Sequence, residues 1–350
     1  SICTAKIIVL TMSPTWYNVL AYLTICASSE SVPTRELQCP PADDIAPCRC
    51  SVEEYNYIDC SDVADVHELA RVFEADFPSN PFPQLILSNN HNIKHLPNGI
   101  FGDMAFEEID IVSCGLQTVA KEVFISSATT LKKLILKNNK LDNTFDFDVL
   151  PEFSVLDYLD MHNNNITDFP VLDIPSLTYL DMWMNPITSL PDDVFGKMPN
   201  LTYVDLDMMG LEQLPINLFP IQSQLTKVLL SYNELTYLKE GTFAFQGDSI
   251  QEIWLMQNKI TTVEAGAFSG LENVMIELWK NELETLEEAV WRDLLDHNVT
   301  IKVELNPLVC GCDVGWIVLN SEYHDQIGES TCNNGEYLVD LDPAWFTENC

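Results

Sequence analysis

From Leu177 to Phe195 the chain reads LTYLDMWMNPITSLPDDVF, and its apolar residues fall at Leu177, Leu180, Met182, Ile187, Leu190 and Phe195, with an amide at Asn185. Leu180 and Met182 are two apart, the period of a short strand with one face inside. The unit recurs. The residues equivalent to Leu180 are Leu85, Ile109, Leu134, Leu159, Val204, Val228, Ile253, Ile276 and Ile301, at a mean step of 24 residues. Near the end of a unit a Leu-Pro pair and a phenylalanine return, as at Leu96-Pro97 with Phe101, Leu190-Pro191 with Phe195 and Leu214-Pro215 with Phe219, and Phe243 and Phe268 follow at the same place.

A strand of this kind every two dozen residues, closed by an asparagine, is the signature of a leucine-rich repeat. The fold class that follows is an α/β leucine-rich-repeat solenoid: a curved horseshoe with a parallel concave sheet, an irregular to short-helical convex side and disulfide caps at both ends. About ten repeats fill residues 82–305, the first and last irregular. The asparagines at 90, 139, 164, 185, 233, 258 and 281 are expected to turn inward and pair the backbone where the chain leaves each strand, because buried peptide groups need partners. Cys114 takes that place in the second unit as a small buried thiol, and Met209 takes it in the sixth, where a local distortion of the turn is expected. The phenylalanines should stack in a column behind the strands. By length alone, 350 residues suggest two domains, but a solenoid grows by adding units, so one elongated domain is the expectation.

The cysteines divide the rest of the chain. Four cluster at Cys39, Cys48, Cys50 and Cys60 and four at Cys310, Cys312, Cys332 and Cys350, around a middle that holds only Cys114. Two even clusters read as two disulfide modules and imply an oxidising, secretory compartment. Each allows three connectivities. The C-x-C pair could serve zinc, but no histidine or further cysteine follows at ligand spacing, so no metal is expected. Residues 1–29 hold one charge, Lys6, and two apolar runs, and the second, ending ICASSE, has the form of a signal peptide cut near Ala27–Ser29. The sequence starts with Ser1, and Met12 is an alternative initiator. Residues 30–61 then form an N-terminal cysteine cap, 62–81 a helical connector with Val66, Leu69, Ala70 and Phe73 at helical spacing, and 306–350 a C-terminal cysteine cap. No apolar run in the mature chain approaches the roughly 20 residues of a membrane span, so a released product is expected.

The 53 acidic and 17 basic residues give a net charge of −36. Such a field argues against nucleic acid and anionic lipid as partners and favours basic surfaces or cations. The six histidines are scattered, with no nucleophile, no metal-ligand pair beside a glutamate and no phosphate-binding glycine loop. His91 and His95 lie four apart across a turn where no helix would align them, and each is expected at the surface. The chain is therefore read as not an enzyme, without cofactor.

Binding is the better-supported class. Strand alternation turns the neighbours of the inward leucines onto the concave face: Tyr158, Asp160 and His162, then Tyr179, Asp181 and Trp183, then Tyr203, Asp205 and Asp207, with Trp254 and Trp279 further on. Three tyrosines beside three aspartates, with exposed tryptophan, exceed what a solvated sheet needs and match the residue types of binding hot spots. The competing reading is that the ladders only satisfy neighbouring strands. Like charges about 4.8 Å apart repel, which favours a cationic partner group. Asn165, Asn200 and Asn298 begin N-x-T sequons and are candidate glycosylation sites.

The spacing C-x8-C-x-C-x9-C at the start, and NPLVCGC with Trp316 and two distant cysteines at the end, resemble the two cysteine caps of extracellular leucine-rich-repeat proteins. That resemblance implies pairing of Cys310 with Cys332 and of Cys312 with Cys350. More particularly, CPPADDIAPCRC, DVHELARVF and FPSNPFPQLILSNNHNIKHLPNGIFGD are similar to the non-catalytic subunits of secreted shrimp luciferases (luciferin 2-monooxygenases). The resemblance implies a secreted scaffold that stabilises or escorts a separate small catalytic polypeptide. The alternative function is the ectodomain of a cell-surface leucine-rich-repeat receptor or adhesion protein.

Overall fold

A computed structural model describes residues 36–53 and 55–350. The chain divides into Ser1–Leu37, of which only Glu36 and Leu37 are described, and Gln38–Cys350, one compact unit. The signal-peptide expectation for 1–29 therefore lies outside the described residues.

A twelve-stranded sheet runs the length of the compact unit in chain order. Its strands are β1 (Arg49–Ser51), β2 (Tyr57–Asp59), β3 (Phe82–Ser88), β4 (Phe106–Val112), β5 (Lys133–Ile135), β6 (Tyr158–Asp160), β7 (Tyr179–Asp181), β8 (Tyr203–Asp205), β9 (Lys227–Leu229), β10 (Glu252–Trp254), β11 (Met275–Glu277) and β12 (Thr300–Lys302). Only β1 and β2 pair antiparallel; every later pair is parallel. Leu180 lies in register between Leu159 and Val204, and the whole column from Leu85 to Ile301 is fully buried. Ile58 of the cap extends it by one step, opposite Leu85. Each such side chain contributes about 1.5–3 kcal/mol by leaving water, and stacking lets one column serve every repeat.

Where each strand ends, the chain turns through a residue in the left-handed region, as at Asn89, Asn138, Asn163, Met184, Met208 and Tyr232. The following asparagine staples that turn to the previous one. Asn185 Nδ2 donates to Met161 O and Met182 O, and its Oδ1 accepts from Ile166 N. Asn306 adds an eighth member that the sequence reading did not single out. The two repeats without the amide share a different solution. Cys114 donates its thiol to Leu87 O at 3.3 Å, Met209 donates only its backbone N–H to Asn233, and each is followed by a glycine at positive φ, Gly115 and Gly210. The distortion expected at Met209 thus takes the form of one extra left-handed residue, which glycine adopts without penalty.

Behind the strands Phe195 and Phe219 stack at 5.0 Å, as do Phe243 and Phe268, while Phe101 stacks on Phe124 at 6.2 Å. The column is not a simple stack throughout: Phe169 meets Phe195 edge-on, and Phe219 stacks on Phe245, which lies against Phe243. Between repeats the chain makes 3-10 turns and three small two-stranded parallel ladders, such as Phe243–Ala244 with Phe268–Ser269.

The ends are closed by different devices. In the N-terminal cap Cys39 pairs with Cys50 and Cys48 with Cys60. The helix Val66–Val72, capped by the Asp65 carboxylate, buries Leu69 and Val72. At the other end Cys310 pairs with Cys332 and Cys312 with Cys350. The helix Glu288–Asp296 buries Trp291, Leu294 and Leu295, and Trp316 Nε1 donates to Leu286 O, which ties the cap to the last repeats. Among the described residues no helix is long and apolar enough to cross a membrane.

Candidate partner-binding face

Parallel register turns the strand alternation into rows that run across the repeats. The first outward row passes through Lys133, Tyr158, Tyr179, Tyr203, Lys227 and Glu252. Its three tyrosines form a continuous stack: Tyr158 to Tyr179 at 4.1 Å and 5°, Tyr179 to Tyr203 at 4.5 Å and 2°. The rings are half-buried, which leaves an open apolar strip on the concave side. Lys133 Nζ sits 5.9 Å from the Tyr158 ring and closes that end of the stack.

The second row is acidic. Asp160, Asp181 and Asp205 stand in register on β6, β7 and β8, and each also accepts the backbone N–H two residues on, from His162, Trp183 and Asp207. These bonds fix the carboxylates at the strand ends. The first two are buried, and the chain supplies its own cations to them. Lys137 Nζ lies 3.4 Å from Asp160 Oδ2, and His162 Nδ1 lies 2.9 Å from Asp160 Oδ1 and 3.4 Å from Asp181 Oδ2. Neither histidine contact is aligned along the ring N–H, so these are ion pairs without a directed hydrogen bond. Burial opposes charge on His162, but the two carboxylates outweigh it and raise its pKa to about 9. His162 keeps its place on the outward row but is drawn down between the two carboxylates, so its ring is only partly exposed.

Asp205 and Asp207 have no cation within ion-pairing distance among the described residues and feel only the more distant charges of His162 and Lys227. Burial, with repulsion from Asp181, holds Asp205 up at about 6 against the Asp207 N–H, and burial with repulsion from Asp205 holds Asp207 at about 7. Asp205 also accepts from Tyr203 Oη at 3.3 Å.

Asp160, His162 and Asp181 could hold a metal, since one ligand atom from each lies within 4.8 Å of the others. An ion would have to displace the His162 proton, which the carboxylates hold above neutrality, and would sit beside Lys137. The chain thus already supplies two cations to this cluster, Lys137 and His162.

The remaining two site residues belong to a separate group. Strand β9 stands between Tyr203 and Trp254, whose ring face is covered by Lys227 Nζ at 3.8 Å. Trp279 lies one strand beyond, with Lys280 Nζ 5.7 Å from its ring. Trp183, by contrast, joins the tyrosine–aspartate face through His162, with ring centroids 5.1 Å apart. Asn165, Asn200 and Asn298 are all exposed.

Lys137 was missed from sequence, although it occupies in its repeat the place held by His162, Trp183 and Asp207 in the next three. Met184, Met208 and Tyr232 were also missed. They stand at the left-handed turn position where earlier repeats carry Asn89, Asn138 and Asn163.

Comparison with known proteins places the chain in a family. The chain is 34% identical over 345 residues, 95% of each sequence, to the Oplophorus-luciferin 2-monooxygenase non-catalytic subunit of Oplophorus gracilirostris. It belongs to the family of that non-catalytic subunit. Membership carries with it a leucine-rich-repeat protein that is not itself an enzyme. The leucine rich repeat family profile matches residues 223–283. A shorter likeness, 30% identity over 115 residues, 33% of this chain and 26% of the other, links it to osteomodulin of Rattus norvegicus. Among solved structures, a chain from an octameric complex of Latrophilin 3, Unc5D and the leucine-rich-repeat protein FLRT2 aligns with a TM-score of 0.58 at 18% identity, covering 87% of this chain and 98% of that one. A leucine-rich-repeat protein of Leptospira interrogans aligns at 0.51 and 20%, covering 69% of each. These two likenesses concern the fold.

Proposed function

We propose that the chain is a secreted binding scaffold that holds a separate small secreted polypeptide, a catalytic subunit of luciferase type, on the concave face formed by Tyr158, Asp160, Tyr179, Asp181, Trp183, Tyr203 and Asp205. The supporting observation is the stack of three half-buried tyrosines beside a row of fixed carboxylates on an open sheet face. Aromatic rings of low conformational entropy are effective anchors, and the carboxylates select against acidic partners. The organisation that serves this role is a signal peptide over 1–29, a cysteine cap over 30–61, a connector over 62–81, repeats over 82–305 and a second cap over 306–350. Glycans at Asn165, Asn200 and Asn298 fit the same extracellular setting. The test is capture from the source tissue's secretions followed by mass spectrometry, with wild type beside Tyr179→Ala/Trp183→Ala. A polypeptide held by wild type and lost by a still-folded variant supports the reading; equal capture by both sinks it.

A further inference from the structure

The turn that follows each strand of the sheet places one residue at φ between 52° and 57° from Asn89 to Lys280. Asparagine tolerates that region, whereas a bulky apolar residue there costs on the order of 1 kcal/mol or more. Three consecutive repeats nevertheless carry Met184, Met208 and Tyr232, and these side chains remain 36%, 44% and 46% exposed. Successive turns are joined through the backbone, Met184 N to Asp207 O and Met208 N to Ser231 O. The three residues thus line one rim of the sheet. Ser113, Gln257 and Lys280 hold the same position in other repeats with polar side chains, so what sets these three apart is a continuous row of part-exposed apolar surface, of the kind that marks an interaction site.

Beside that rim lie Asp205 and Asp207. Among the described residues neither carboxylate has a cationic side chain within ion-pairing distance, unlike Asp160 with Lys137 and His162. Ser231, on the same outward row one strand further, gives its N–H to Asp207, but its hydroxyl is fully buried without a hydrogen-bond partner. A polar atom left unmet next to two unpaired carboxylates is a costly arrangement for the free protein, and an entering cation that donates to the carboxylates, and through a bridging water to the Ser231 hydroxyl, would relieve it.

We propose that the partner docks over β7–β9 with a cationic amphipathic segment, its apolar side chains on Met184, Met208 and Tyr232 and a lysine or arginine on Asp205 and Asp207. This rests on the scaffold reading and gives the partner's chemistry and its footprint. The footprint is offset from the middle of the tyrosine stack toward the turn side. Charge complementarity carries the choice of occupant: the chain has a net charge of −36, and the neighbouring Asp160 and Asp181 already have cations of their own, which leaves Asp205 and Asp207 to the partner.

The probe is a short fluorescein-labelled peptide of alternating lysine and leucine, titrated by anisotropy at roughly 0.15 M salt, where long-range attraction is screened. Lysine–serine and glutamate–leucine peptides of equal length are the controls. The expected result is binding of the lysine–leucine peptide at least about tenfold tighter than either control. Met184→Asn/Met208→Asn/Tyr232→Asn, which suits the backbone, and Asp205→Asn/Asp207→Asn, which keeps the acceptor for the Asp207 N–H, should each lose about tenfold. Melting of both should be unchanged or raised. Equal binding of the lysine–serine peptide, or wild-type binding by either variant, overturns the proposal. Capture of the natural polypeptide separates the two readings. If Tyr179→Ala/Trp183→Ala loses it while both rim variants keep it, the scaffold stands and this footprint falls; if all three keep it, both fall.

Discussion

The rings of Tyr158 and Tyr179 lie 4.1 Å apart and within 5° of parallel, and Tyr203 continues the stack on the other face of Tyr179. Tyr179 alone therefore has two partners. Each aromatic pair contributes about 0.5–1.5 kcal/mol beyond its burial, so Tyr179→Ala should destabilise by roughly 1–3 kcal/mol from the two stacks. Tyr158→Ala should cost less, since only one stack breaks. Denaturant midpoints measure both; a Tyr158 variant as unstable as the Tyr179 variant would show that stacking does not set the cost.

Stability should fall as pH rises, in two limbs of the same sign. Burial raises Asp110, with repulsion from Glu108, and raises Asp205 and Asp207 as described, to about 6, 6 and 7. Such acids bind more protons folded than unfolded between their ordinary value and these, so that limb is lost as pH climbs to about 7. His162, raised to about 9, contributes stability that is whole below its unfolded value near 6.5 and gone above about 9. Melting scans from pH 5 to 9.5 should decline throughout. His162→Gln should flatten the upper limb and Asp205→Asn/Asp207→Asn the lower one, and a melting maximum near pH 8 would contradict both assignments.

The repeat was legible because each inward position recurs with its chemistry intact: Leu180, Asn185 and Phe195 have counterparts in nearly every unit. The outward rows were legible as positions, since alternation fixes which side chains share a face. Their electrostatics were not. That Asp160 is neutralised by Lys137 and His162, while Asp205 and Asp207 are left unpaired, depends on which side chains reach across strands, and a row of aspartates reads the same in either case. Cysteine pairing in the first cap was open among three connectivities for the same reason: spacing does not say which sulfurs meet. The insertion of Phe245 between Phe219 and Phe243 was not legible either, because Phe245 lies two residues past the recurring phenylalanine and has no counterpart in the next repeat, where Gly270 stands.

Cys114 should be silent to thiol reagents in the native protein. It is fully buried, burial pushes its pKa to about 11, and its thiol donates to Leu87 O. The thiolate is the reactive form, and here it is disfavoured and inaccessible. Labelling with a disulfide dye should therefore be negligible in buffer and stoichiometric in guanidinium. Cys114→Ala should cost about 1–3 kcal/mol by leaving a buried carbonyl short of a donor; rapid native labelling would place the thiol elsewhere.

Phe195 is fully buried, stacked on Phe219 at 5.0 Å and met edge-on by Phe169 at 6.0 Å. Phe195→Ala removes a ring that three repeats share, and neighbours held by the parallel sheet can collapse only partly, so the loss should be about 3–5 kcal/mol. Phe195→Leu, which fills more of the space, should cost less than half of that. Because repeats contact only their neighbours, the damage should concentrate on the middle of the solenoid. Hydrogen exchange should quicken in β6–β9 well before it does in the disulfide-closed ends. Uniform quickening from β2 to β12 would mean that the solenoid unfolds as one cooperative block, and the ring column would then be a global tie between repeats.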